Sequence, residues 1–192
     1  MNESDIILDI GCGGGTNVKR MASKSAKVYG VDYSPKAVER AKELNKDIKN
    51  VEIIESSVSN LPFEDNTFDV ITAIKTVFFW PDLVNDFKEV KRVLKPDGIF
   101  AIIVDYNGAN GKKMMEFAER LLEMDPKNDI ETTYILLDAG FREVTSYIRN
   151  TKVKREIKKV NNIIEKESAD TFSIRADFSD KMEEWICLIA KK

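Results

Sequence analysis

The chain alternates short apolar runs with segments whose apolar residues recur every three or four positions. Ile6, Ile7, Leu8 and Ile10 bracket Asp9 and predict a buried parallel strand. Gly11, Gly13, Gly14 and Gly15 follow at once, and Asn17 to Ala22 predict a helix. Lys27 to Asp32 predicts a second strand ending in an acid. Ser34 then stands as an N-cap with Pro35 in the first helical turn. Ala37, Val38, Ala41 and Leu44 carry that helix through Lys46. Val51 to Glu55 and Phe68 to Ile74 predict the third and fourth strands, and Ile99 to Val104 a fifth, apolar throughout and expected near the middle of a sheet. Strand, glycine loop, helix, strand, acid, helix is the opening of a doubly wound α/β fold.

Between the fourth and fifth strands, Val77 to Trp80 is apolar and aromatic. Pro81 and Asp82 open a helix carrying Leu83, Phe87, Val90, Val93 and Leu94, and Lys95-Pro96-Asp97-Gly98 is expected to end it with a turn. Beyond Tyr106 the spacing predicts helices over Lys112–Glu123 and Thr132–Ala139, the latter stopped by Gly140. Strands are expected over Phe141–Ile148 and Trp185–Ala190. Between these strands lies a charged insert, 151–181. Val153, Ile157, Val160 and Ile163 or Ile164 recur in it at helical spacing, so Lys152 to Glu167 is expected to be helical. There is no repeat, linker or low-complexity tract, and the whole chain, 1–192, reads as one domain.

The glycine loop is where the chemistry concentrates. Four of the nine glycines lie within five positions. A tight strand-to-helix turn without a ligand needs only one or two. Glycines between a strand and a helix N-terminus let backbone N–H groups approach a ligand. Asp32, twenty-one positions after Gly11, fits an acid that accepts from a ribose diol. Both dinucleotides and other adenosine cofactors are bound this way. Two residues separate them. The third glycine of G-x-G-x-x-G is replaced by Thr16, and Asp9 puts a negative charge two residues before the loop. That charge opposes a pyrophosphate and suits a cation, which favours S-adenosylmethionine over NAD.

Composition narrows the rest. Hydrophobic residues make up 43% and charged residues 33%, with a formal net charge of −3, which gives no support to nucleic acid as the default partner. No membrane span or leader peptide is expected. Cys12 and Cys187 suggest neither a disulfide framework nor a metal cluster, so a reducing cytoplasm is the simplest setting. The chain has no histidine, which excludes a Ser-His-Asp triad, histidine metal ligands and a histidine base.

LDIGCGGG (8–15), VYGVDYS (28–34), LPFEDNTFDVI (61–71), FFWPD (78–82) and EVKRVLKPDG (89–98), in this order, resemble the class I S-adenosylmethionine-dependent methyltransferases, in the branch acting mainly on small molecules. The likeness covers about residues 6–105, with a weaker echo in LLDAGF (136–141) and the last strand. It implies a Rossmann-like seven-stranded sheet, mostly parallel, with helices on both faces. The terminal strand is antiparallel and inserts between the fifth and sixth. It implies that Asp9 and the backbone from Gly11 through Cys12 and Gly13 to Gly15 hold the methionine part. Asp32 would bind the ribose hydroxyls, and Tyr33 would lie against the adenine. Ser57 and Val58 would meet the adenine edge, and Ala73 and Ile74 the methionine end. Ser57 stands where the family usually has Asp, so a weaker cofactor bond is expected there, by about 1.5–3 kcal/mol. The family usually has helices before its first strand; here only Met1 to Asp5 precede it, so the site is expected to be open, or covered by a homodimer mate, a partner chain or the later insert.

No residue announces itself as a general base; Lys75, Asp105 and Tyr106 are the candidates near the strand ends. Phe79, Trp80 and Tyr106 are expected to border a substrate pocket, with Phe78 sharing between pocket and packing. The basic run 152–159 reads as a solvated face rather than an RNA contact. The expected activity is transfer of a methyl group to a small-molecule acceptor. The alternatives are an S-adenosylmethionine-binding protein without turnover, an NAD-dependent oxidoreductase and an RNA methyltransferase.

Overall fold

In the computed structural model the described residues are 1–106, 129–148, 154–160, 163–167 and 184–192, with side chains described at 1–104, 131–147 and 187–192. The expected Lys112–Glu123 helix lies outside them. The strands are β1 (Ile6–Ile10), β2 (Lys27–Asp32), β3 (Val51–Glu55), β4 (Phe68–Ile74), β5 (Leu94–Tyr106), β6 (Glu143–Ile148), β7 (Lys154–Val160), β8 (Ile163–Glu167) and β9 (Glu184–Lys191). The described helices are α1 (Thr16–Ala22), α2 (Pro35–Asn45), α3 (Leu83–Val93) and α4 (Asp129–Asp138), with single 3-10 turns at Val58–Asn60 and Val77–Phe79.

All nine strands form one sheet in the order β3-β2-β1-β4-β5-β9-β6-β7-β8. β1 to β5 pair in parallel, and β9 runs antiparallel between β5 and β6. The first seven strands of that order are thus the sheet expected, terminal strand included. The two extra strands correct the reading of Lys152–Glu167 as a helix: β7 pairs antiparallel with β6, and β8 with β7. The apolar positions there are Val and Ile, whose β-branched side chains favour a pleated surface, and the open edge of β6 gave them a backbone to pair with. The β7–β8 ladder runs from Glu156↔Glu167 to Val160↔Ile163.

The turn expected at Lys95–Gly98 is likewise part of a strand. β5 begins at Leu94, but its register against β4 jumps from Phe68↔Leu94 to Val70↔Ile99, so the expected turn lies inside the strand's range as residues looped out of the ladder.

Alternation along β1 divides the core. Leu8 and Ile10 join the layer beneath α3 and α4, with Phe87, Val90, Val93, Leu136 and Leu137. Ile7 joins the opposite layer, with Val18 and Met21 of α1 and Val38 and Ala41 of α2. Asp9 shares its parity with Ile7, so period two puts it under the α1 layer. Ser34 caps α2 as expected, its hydroxyl accepting from the Ala37 amide. The strand order reverses direction between β1 and β4, and ligands of open α/β sheets bind outside the carboxyl ends of strands at such a point.

Candidate functional site

A cavity of about 610 Å³ opens at that switch point. Asp32, Tyr33, Ser57 and Val58 line one side, and Lys75, Thr76, Phe79 and Trp80 the other, with Ile10 and Gly11 between them.

The glycine loop is shaped by the protein around it. Gly11, Gly13 and Gly15 have φ of 69°, 54° and 80°. A Cβ on Gly11 would collide with the Thr76 side chain, so the loop and the segment after β4 touch only because Gly11 has none. Gly15 is the N-cap residue of α1, and its carbonyl accepts from Asn45 Nδ2 (3.3 Å) and the Lys19 amide (3.0 Å). At Gly13 and Gly14 a Cβ would meet nothing within 4 Å. That part of the loop offers bare backbone to open space.

Asp32 ties the loop to the second crossover. Its Oδ2 accepts from the Gly13 amide (2.8 Å) and its Oδ1 from the Ser34 amide (2.9 Å). Each carboxylate oxygen has a second lone pair, so Asp32 retains acceptors for a ligand in the cavity it lines. Asp9 is placed differently. It is 1% exposed, does not line the cavity, and its Oδ1 accepts from Thr72 Oγ1 (2.6 Å). Burial pushes its pKa up to about 7; the Thr72 hydrogen bond opposes this and the Asp32 charge adds to it. Cys12 is buried below the loop as well, and burial together with the Asp9 and Asp32 charges pushes its thiol up to about 12, so it has no thiolate character near neutral pH.

On the Asp32 side of the cavity, Ser57 caps the 3-10 turn at Val58–Asn60, accepting from the Ser59 amide (3.2 Å). One face of α3 holds this region. Asp86, fully buried, accepts from Ser59 Oγ (2.7 Å) and the Asp82 amide (3.1 Å). Glu89 accepts from the Leu61 amide, and Arg92 donates to the carbonyls of Leu61 and Phe63. Residues three apart on a helix share a face, so Asp86, Glu89 and Arg92 clamp the chain from 59 to 63 as a row. EVKR in the sequence belongs to this row, but nothing in its spacing shows what it holds.

The aromatic residues around the cavity divide. Trp80 is 9% exposed and stacks on Phe100, with Phe87 against its edge; it is core that also lines the cavity. Phe79 is 58% exposed and lines the cavity. Tyr33, 75% exposed, stands at the opposite rim. Ala73 is fully buried between Ile10 and Ile102, and neither it nor Ile74 lines the cavity. Tyr106 ends β5, and its side chain lies outside the described residues. Ser56, Thr76 and Pro81 also line the cavity, a role that no motif in the chain signals. Among the described residues, no three potential metal ligands stand together.

Residues 8–102 match the family model described as a methyltransferase domain. The chain belongs to the class I S-adenosylmethionine-dependent methyltransferases. The cofactor of this family is S-adenosylmethionine. A cycloartenol-C-24-methyltransferase of Oryza sativa is 32% identical over 151 residues, 72% of this chain and 44% of the relative. A demethylmenaquinone methyltransferase of Staphylococcus saprophyticus is 34% identical over 99 residues, 50% of this chain and 42% of the relative. The chain therefore spans under half the length of either. The crystal structure of the YcgJ protein of Bacillus subtilis superimposes with a TM-score of 0.71 at 18% identity, over 100% of this methyltransferase-family chain and 93% of that one, and shares its fold. No described helix is long and apolar enough to cross a membrane.

Proposed function

We propose that this methyltransferase-family chain transfers the methyl group of S-adenosylmethionine to a small-molecule acceptor. The observation that carries the reading is the cavity at the β1/β4 switch point, with an acid, the Gly11 end of the glycine loop and aromatic rims around it. A volume of about 610 Å³ suits a nucleoside-sized ligand with a small acceptor beside it. Asp32 accepts from the ribose hydroxyls, Tyr33 lies along the adenine, and the Val58 amide with Ser57 meets the adenine edge. The Gly11–Gly15 backbone borders the aminoacyl part. Ala73 and Ile74 support that region from within the strand, and Asp9 acts on the cofactor through the loop above it rather than by contact.

The bound cofactor supplies a methyl carbon already activated by its sulfonium. The chain's own part is to orient the acceptor and exclude water. Phe79 at the rim and Trp80 behind it present apolar surface on the side where the acceptor enters. The exposed rings of Tyr33 and Phe79 mark a mouth that an acceptor, a second copy or another chain covers during turnover. The free cysteines Cys12 and Cys187 support a reducing, cytoplasmic setting. Incubation with methyl-tritiated S-adenosylmethionine, with demethylmenaquinone and cycloartenol as first acceptors, tests this. Label in the organic extract supports the proposal. Label in RNA overturns the small-molecule reading, and binding of cofactor without any transfer across an acceptor library overturns the enzymatic one.

A further inference from the structure

Lys75 follows β4 directly and is held in the left-handed region, φ 58°, while its amide donates to the Ile103 carbonyl (2.8 Å). For a residue with a Cβ that conformation costs about 1 kcal/mol or more, and it concentrates at functional sites. Lys75 is exposed and lines the cavity. Among the described lining residues it is the one cation, and Asp32 is the one anion. The two are separated in a way the sheet fixes. Asp32 ends β2, Lys75 follows β4, and β1 with its glycine loop lies between them. Two strand spacings put them roughly 10 Å apart. Thr76, the next residue, packs where a Gly11 side chain would be, so the Lys75 segment abuts the loop itself.

We propose that Lys75 binds the carboxylate at the methionine end of the cofactor, opposite the ribose end held by Asp32. This rests on the cofactor placement given under Proposed function. The ribose diol and the aminoacyl carboxylate of an S-adenosyl ligand are separated by a comparable span, with the sulfur between them. An acid at one end of the cavity and an ammonium at the other therefore fit the ligand in one direction only. Lys75 has a further interaction within the chain; the incoming carboxylate adds to it or replaces it. A charge-assisted hydrogen bond of this kind changes affinity by about tenfold to hundredfold.

Calorimetric titration with S-adenosylhomocysteine and with its decarboxylated analogue, on wild type, Lys75→Met and Lys75→Arg, tests the assignment without turnover. Wild type is expected to prefer the carboxylate-bearing ligand by about tenfold or more. Lys75→Met is expected to lose that preference by weakening only S-adenosylhomocysteine, and Lys75→Arg to keep most of it. Equal weakening of both ligands in Lys75→Met, or a preference that survives the substitution, overturns the assignment while leaving the cofactor reading standing. No binding of either ligand to wild type overturns both. Lys75→Gly, which relieves the positive φ, serves as the folding control and is expected to melt no lower than wild type.

Discussion

Replacing Asp9 by Asn removes a buried charge while nearly preserving the shape of the side chain. In the folded chain the carboxyl holds its proton up to about pH 7, against 3.8 for the unperturbed group. The unfolded state therefore binds fewer protons between these values, and stability falls as pH rises through that window. The contribution is complete below about pH 4 and lost above about pH 7. A shift of about three units is worth about 4 kcal/mol in all, of which about 2–3 kcal/mol falls between pH 5 and pH 8. The Thr72 hydroxyl, 2.6 Å from Oδ1, donates equally well to an amide oxygen, so the variant keeps that bond. The cost of Asn is a buried NH₂ group with one more donor than the protonated acid, about 1–2 kcal/mol. Urea denaturation at pH 5, 6, 7 and 8 reads the balance. Wild type should be the more stable at pH 5 and should lose that lead by pH 8, where the variant equals or exceeds it. Two stability curves running parallel across that range would refute the assignment of a neutral buried acid, and with it the account of why the strand tolerates Asp9 at 1% exposure.

Other substitutions separate structure from binding. Gly11→Ala should destabilise the fold by about 2–4 kcal/mol in chemical denaturation, because the new methyl meets Thr76 and φ is 69°. Gly14→Ala, where a Cβ meets nothing, should change stability by less than about 1 kcal/mol and lower cofactor affinity in calorimetry. Trp80→Ala should cost about 3–5 kcal/mol, since its ring stacks within the core, while Phe79→Ala should leave stability within about 1 kcal/mol and raise the acceptor KM. Asp86→Ala removes the acceptor of the Ser59 hydroxyl and the Asp82 amide and should cost about 1–3 kcal/mol, with weaker cofactor binding as the 3-10 turn loosens.

The parallel half of the fold was legible because its middle strands β1 and β4 are largely buried on both faces and read as near-continuous apolar runs, and because Ser34-Pro35 and Pro81-Asp82 punctuate the helices. The β7–β8 pair was not. Ile157, Val160 and Ile164 satisfy a helical spacing, and only the unpaired edge of β6 decides for strands, a tertiary fact with no local signal. In the site, Asp32, Tyr33, Ser57 and Val58 were readable from the family motifs and all line the cavity. The family resemblance implies a direct contact for Asp9, but alternation along β1 turns it to the α1 layer, away from the cavity. Thr76 carried no signal, since its role depends on an approach to Gly11 between strands over sixty residues apart in sequence. The positive φ of Lys75 is equally silent in a residue type that rarely adopts it.

Calorimetric titration of wild type and Asp32→Ala with S-adenosylhomocysteine tests the central claim most directly, that the β1/β4 cavity is the cofactor site. The account predicts one site per chain in wild type and an affinity lower by at least about tenfold in a variant that still melts cooperatively. Wild type that is folded and gives no heat, or an Asp32→Ala variant that binds as tightly as wild type, would contradict it.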